Sequence, residues 1–149
     1  TLIADMRTAL SELLEAKIVH NDIRPENIMV ADDGHKFYLD NFHFASIDGV
    51  GPSSGDKRLD KEFSSVEFDE KKKTVGSHMD DYESVLLVLN WVEGETTWEA
   101  QTDEERIRKK KSFSPMSPVS QRLWQEIRYA RKHGKPHTNV LTDLHWTVG

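Results

Sequence analysis

The sequence contains no cysteine, which excludes both a disulfide framework and thiolate chemistry. No apolar run approaches the roughly 18 residues that a membrane-spanning helix needs, so we expect no membrane span. An excess of positive charge is also missing: the formal net charge is −6, so non-specific binding to nucleic acid is not expected. The first residue is Thr1 rather than Met and no secretory signal is visible, and we therefore expect an intracellular location.

The residues that are present suit one globular domain. Of the 149 residues, 36% are hydrophobic and 31% are charged. A chain of this length can bury roughly two-thirds of the surface that it exposes when unfolded. The composition therefore predicts a single domain with its own core.

The strongest local signal is the segment 20–27, H-N-D-I-R-P-E-N, which is followed by the apolar run 28–30. It has the spacing H-x-D-x-x-x-x-N of a protein-kinase catalytic loop. Phosphoryl transfer explains this spacing, because one carboxylate must reach the substrate hydroxyl and an amide oxygen five residues later must reach a magnesium ion. The alternative interpretation is a His and an Asp in an ordinary polar loop.

Further segments resemble one kinase group in the same order. The chain is similar to the C-terminal lobe of the superfamily that includes casein kinase 1, the tau-tubulin kinases and the vaccinia-related kinases. The matching segments are F-S-S-V at 63–66, D-D-Y-E-S at 80–84 with the apolar run 85–92 and Trp98 after it, and K-P-H-T-N-V-L at 135–141.

The resemblance implies a fold and a division of the chain. The expected fold is mostly α with a short β-ribbon, a kinase-like C-terminal lobe that lacks the N-terminal lobe, because only residues 1–19 precede His20. The Gly-rich loop, the strand lysine and the helix glutamate of a kinase would lie in that missing lobe. The expected parts are a catalytic-loop region at 18–45, an activation-segment-like loop at 46–79 and a helical subdomain at 80–149.

Hydrophobic periodicity predicts the elements independently of the resemblance. Apolar residues at helical spacing predict helices over 2–15 and 123–130, and a last one over 140–148. A charged helix is expected over 103–111, with Ile107 nearly its only apolar anchor. The turn signal Asp32-Asp33-Gly34 predicts a hairpin, and the polar segment 46–73 predicts a loop. The run 85–92 is apolar on every face, which predicts a helix buried all round.

Within this resemblance, five residues have expected roles. Asp22 matches the catalytic carboxylate that accepts the proton of a substrate hydroxyl, and Arg24 stands where active members carry a phosphate-contacting lysine. Asn27 matches the residue that holds a magnesium ion beside the nucleotide. His20 and Asp81 match structural residues, and Asp81 is expected to accept hydrogen bonds from the backbone around His20.

The expected metal loop departs from the kinase pattern D-F-G. Residues 39–45 read L-D-N-F-H-F-A, and two alignments are possible. In one alignment Asn41 replaces the metal-binding aspartate, and in the other Asp40 keeps it. The glycine is lost in both. A neutral amide is a poorer magnesium ligand than a carboxylate, because it does not offset the charge of the ion.

Two functions follow from the resemblance, and a third interpretation is an unrelated helical domain. The first function is a pseudokinase-like regulatory or interaction module. The alternative is part of an active ATP-dependent Ser/Thr kinase whose N-terminal lobe is missing here or comes from another chain. ATP and Mg²⁺ are expected only for the active form.

A protein partner or self-association is expected at the face left by the missing lobe, on the helix over 2–14 and the loop after Val30.

Overall fold

Helices form most of the regular structure in the computed structural model, which describes residues 2–51, 61–94, 98–115 and 117–133. Five helices and four short strands lie in these ranges, and a 3₁₀ helix covers Pro25–Asn27. The expectation of a mostly α fold with a short β-ribbon is confirmed. The elements in chain order are α1 (Leu2–Glu15), β1 (Ile18–Val19), β2 (Ile28–Val30), β3 (Phe37–Leu39), β4 (Ser46–Ile47), α2 (Val66–Glu70), α3 (His78–Gly94), α4 (Asp103–Ser112) and α5 (Pro118–His133).

The predicted hairpin is present between β2 and β3. The two strands pair antiparallel, with Ile28 opposite Leu39 and Val30 opposite Phe37. Gly34 closes the turn at a φ of +75°, which a residue without Cβ adopts at little cost. The main core is the cluster of buried apolar side chains that comes mostly from α1, α3 and α5. The ribbon packs on it through Ile28, Phe37 and Leu39, so one face of the ribbon lies against α1.

The prediction of a loop over 46–73 is wrong at two places. Ser46–Ile47 forms β4, which pairs antiparallel with β1, and Val66–Glu70 forms α2. Ser65 caps α2, because its side chain accepts a hydrogen bond from the backbone N–H of Phe68. Each element is only a few residues long and has few apolar anchors, so the surrounding polar residues hide it from a periodicity argument.

Helix α3 forms the centre of the fold. Its buried residues include every position from Val85 to Asn90, and the main core gathers around them from α1 and α5. The expected burial fails at the end of the run, where Trp91 is 38% exposed and Val92 is 55% exposed. These two residues lie in the last turn of the helix, where the covering elements end.

The anchor of α4 is a charged residue rather than the expected Ile107. Ile107 is half-buried, whereas Lys110 is fully buried. The Lys110 ammonium donates to the backbone oxygens of Lys61 (2.9 Å) and Ser64 (2.6 Å), and it pairs with Asp69 Oδ2 at 3.2 Å. A buried ammonium is tolerated here because each of its three protons has an acceptor.

Several expectations fall outside the described residues. The resemblance at 135–141, the last helix over 140–148, and parts of the segments 46–79 and 93–98 are of this kind. In the part of the chain that the structure covers, no helix is long and apolar enough to cross a membrane.

Candidate functional site

The loop 20–27 follows β1 and ends in the 3₁₀ helix, and its first four residues are buried. Asn21 has a φ of +69°, a left-handed conformation that asparagine tolerates better than most residues. Its amide nitrogen donates to the backbone oxygen of Phe44 (2.9 Å) and to Ser46 Oγ (3.2 Å), and its Oδ1 accepts from the Gly76 N–H (2.9 Å). One side chain therefore connects the loop to β4 and to the start of α3.

Asp81 holds the backbone of the loop from the first turn of α3. Its Oδ2 accepts from the His20 N–H at 2.8 Å, and its Oδ1 accepts from the Asn21 N–H at 3.1 Å. The carboxylate is buried, and both of its oxygens are used in charge-assisted hydrogen bonds. This contact agrees with the one expected from the sequence.

His20 is fully buried beneath the loop, and its contacts define its tautomer. Its Nδ1 accepts from the Asp22 N–H at 3.1 Å, so the ring proton lies on Nε2. Nε2 then donates to the backbone oxygen of Asp40 at 2.9 Å. The ring also meets Phe42 edge-on, with the ring centroids 4.9 Å apart. His20 therefore positions Asp22 and the 40–45 loop by contact with both.

The fold brings together three polar residues of the loop, which are Asp22, Arg24 and Asn27. Asn27 Nδ2 donates to the Asp22 backbone oxygen (2.7 Å) and to Asp22 Oδ2 (2.9 Å). Arg24 Nε lies 3.2 Å from the other carboxylate oxygen, Oδ1. Asp22 is almost fully buried, with one carboxylate oxygen hydrogen-bonded to Asn27 and the other within ion-pair distance of Arg24. These neighbours orient the carboxylate, as a base that accepts a proton must be oriented.

The two alignments of the expected metal loop differ in what meets Asn27. Asn41 Nδ2 donates to Asn27 Oδ1 at 3.3 Å, and Asn41 has a φ of +59°. Asp40 contacts Asn27 only through the backbone, where its N–H donates to the Asn27 oxygen at 2.9 Å, and its side chain is exposed. The side chain that stands beside Asn27 is therefore the neutral amide rather than the carboxylate.

These residues do not fit a magnesium site in the arrangement observed. The Asn41 nitrogen, a hydrogen-bond donor, faces the Asn27 oxygen that would have to bind the ion. Magnesium prefers carboxylate ligands in an octahedral set. Within the described residues, no group of three or more His, Asp or Glu side chains is placed to hold a metal ion.

A second charged cluster joins α2, α3 and α5, and sequence reasoning did not identify it as a unit. We call it the Arg131 network. Arg131 pairs with Glu67, with Asp80 at 3.0 Å and with Glu83 at 3.4 Å. Lys73 adds a second cation at 3.1 Å from Asp80. The only signal in the sequence is the acidic start of α3, since Arg131 lies 51 positions after Asp80.

The acids of the Arg131 network have opposite pKa shifts. Burial works against ionisation of Asp80, but hydrogen bonds from Ser65 and Ser77 and the charge of Arg131 outweigh it and lower its pKa below 3.8. For Glu67 as well, burial is outweighed, by Lys71 and Arg131, and its pKa is lowered. Burial dominates at Glu83 and raises its pKa, although Arg131 and the Val66 N–H oppose the shift. The network therefore holds ionised acids next to one that resists ionisation.

Exposed apolar side chains lie on the β2–β3 ribbon and just after it, and we call them the ribbon patch. The exposed fraction of the side chain is 53% for Val30, 46% for Tyr38 and 48% for Phe42. The expectation that the helix over 2–14 would also be exposed is wrong, since its apolar residues Ile3 and Met6 are buried in the main core. The apolar stripe of α1 packs against both α3 and β3, and Leu2, Leu13 and Leu14 at its two ends are half-buried.

Comparison with known proteins gives no further assignment. No protein-family model matches the chain, and no curated protein matches it.

Proposed function

We propose that this chain is a pseudokinase-like regulatory or interaction module with the architecture of a kinase C-terminal lobe. The support is the resemblance of the loop 20–27 together with the contacts that it makes. Asp81 holds the loop from the first turn of the central helix, and Asn27 orients Asp22. A loop that only happened to contain these residue types would have no reason to form these contacts.

One observation favours a module without catalysis over an active enzyme. The side chain that meets Asn27 is Asn41, whose nitrogen donates to the oxygen that would bind magnesium. A phosphoryl-transfer site depends on metal ions to neutralise the developing charge. Metal and phosphate ligands act as a unit, so the loss of one acidic ligand removes most of the activity.

The second candidate is part of an active Ser/Thr kinase that receives its N-terminal lobe from elsewhere. It is favoured by the preserved contact of Asp22 with Asn27 (2.9 Å) and with the Arg24 guanidinium (3.2 Å). Asp40 is next to Asn41 and exposed. This candidate requires a different arrangement of the 40–45 loop, in which the Asp40 carboxylate meets Asn27 in place of the Asn41 amide.

Nucleotide binding and phosphate transfer separate the two candidates. We expect the chain alone to show no thermal shift with Mg²⁺-ATP and no transfer of radiolabelled phosphate to a protein substrate. The matched variant is Asp22→Asn, which keeps the size of the side chain and removes the catalytic carboxylate. Transfer by the chain that is lost in Asp22→Asn would falsify the pseudokinase proposal and establish the second candidate.

A further inference from the structure

A cavity of about 420 Å³ lies between α2, α3, α4 and α5, and no residue of the region 18–45 lines it. Its size falls in the range of pockets that hold small organic molecules. Trp124 forms one wall, and Arg128 and Arg131 lie beside it on the same helix. The cavity is thus separate from the loop 20–27 and has its own chemistry.

The apolar wall of the cavity is backed by the core. Trp124 packs on Phe113 with ring centroids 5.1 Å apart, and Phe113 packs on Trp98 at 4.9 Å. Trp98 is fully buried and donates its indole N–H to the Leu87 oxygen at 3.0 Å. This row of rings fixes Trp124 in place, so the wall is a preformed flat surface.

The charges around the cavity leave one cation without an acid. Four basic and three acidic side chains line it, a formal excess of one positive charge on a protein whose formal net charge is −6. Arg128 lies 5.6 Å from the centre of the Trp124 ring and has no carboxylate partner among the described residues. The three other cations are paired: Lys71 with Glu67 (2.7 Å), Lys111 with Glu70 (2.5 Å) and Arg131 with Glu83 (3.4 Å).

From this combination we propose that the cavity binds a small organic monoanion with a flat apolar body. The ring of the ligand packs beside Trp124, and its carboxylate pairs with Arg128. A single acidic group matches the single unpaired cation. A second acidic group would meet the three glutamates, which makes a dianion a poorer ligand. The proposal does not depend on whether the loop 20–27 is catalytic.

The test is a titration with 2-naphthoate, followed by the indole N–H resonances in ¹H–¹⁵N NMR spectra. The chain has four tryptophans, and the resonance that is missing from Trp124→Phe identifies Trp124. Two further probes separate the contribution of the ring from that of the charge. The first, 2-naphthamide, has the ring without the charge, and the second, inorganic phosphate, has the charge without the ring. Arg128→Gln removes the unpaired cation, and Arg122→Gln removes an exposed arginine of the same helix that does not line the cavity.

We expect 2-naphthoate to shift the Trp124 resonance and to bind about tenfold more tightly than 2-naphthamide, because a charge-assisted hydrogen bond is lost with the neutral amide. Phosphate alone leaves the resonance in place. Arg128→Gln weakens 2-naphthoate binding by about tenfold, and Arg122→Gln leaves it unchanged. Equal binding of the acid and the amide, equal effects of the two arginine variants, or an unmoved Trp124 resonance would each overturn the proposal.

Discussion

At the scale of single residues, side chains rather than a backbone ladder hold the loop 20–27. Asp81, His20 and Asn21 each contact backbone groups that lie in other elements. The resemblance to the kinase lobe, together with the acidic start of the apolar helix, predicted the contact of Asp81 with this loop. It could not predict that Asn41 rather than Asp40 meets Asn27, since that depends on the left-handed backbone at Asn41.

Asp81→Ala should lower the free energy of unfolding by about 1–3 kcal/mol, because the His20 and Asn21 N–H groups lose their acceptors inside the protein. Asp81→Asn keeps one acceptor oxygen and should lose about half as much. Urea unfolding followed by circular dichroism measures both variants. An alanine variant within about 0.5 kcal/mol of the wild type would show that water satisfies these two donors.

At the scale of elements, the Arg131 network joins α2 to α3 and α5 without a continuous apolar interface. Ser65 Oγ donates to Asp80 Oδ1 at 2.5 Å, and the Val66 N–H donates to Glu83 Oε2 at 2.5 Å. The sequence could not indicate this arrangement, because hydrophobic periodicity does not register partners that are polar and distant in the chain. The same reason explains why α2 and the anchoring role of Lys110 were missed, whereas α1, α5 and the hairpin were predicted.

The Arg131 network makes the free energy of unfolding depend on pH, with one sign for Asp80 and Glu67 and the opposite sign for Glu83. The pKa of Asp80 is lowered on folding, so its contribution is fully present above its ordinary value of 3.8 and is lost as the pH falls through the lower folded value. Glu67 behaves in the same way below 4.5. The raised pKa of Glu83 has the opposite sign, since the folded state takes up that proton first and gains stability as the pH falls toward 4.5.

Asp80→Asn should therefore cost about 3 kcal/mol at pH 7, where it leaves Arg131 and Lys73 short of a partner. The difference from the wild type should shrink as the pH is lowered below 3.8. Urea unfolding at pH 7, 5 and 2.5 measures this, with Asp32→Asn, an exposed turn residue, as the control. A difference that stays constant over this range would contradict the assignment of Asp80 as the ionised centre of the network.

At the scale of the whole molecule, the ribbon patch offers exposed apolar side chains to a partner. The main core uses the apolar stripe of α1, so the ribbon patch rather than that helix carries exposed apolar area on this side. Such area attracts partners or a second copy of the chain. The composition predicted a single domain with its own core, and the pairing of β2 with β3 showed which apolar residues of the ribbon remain outside.

We expect the chain to self-associate through the ribbon patch at high concentration. The double variant Tyr38→Ser and Phe42→Ser should move the molecule toward the monomer in sedimentation velocity, because it removes most of the apolar area that would be buried. Val92→Ser removes an equally exposed apolar side chain at the end of α3 and serves as the control. A wild type that sediments as a monomer at every concentration would contradict the prediction of self-association.

The contact between Asp81 and the loop also has a kinetic consequence. The carboxylate and the two amides that it holds are 61 and 60 positions apart in the chain, so the loop cannot acquire these bonds until a long segment has closed and α3 has docked. Their exchange with deuterium should therefore require the opening of the central helix rather than local fraying. The His20 and Asn21 amides, although they lie in a loop, should exchange as slowly as those of the innermost turns of α3.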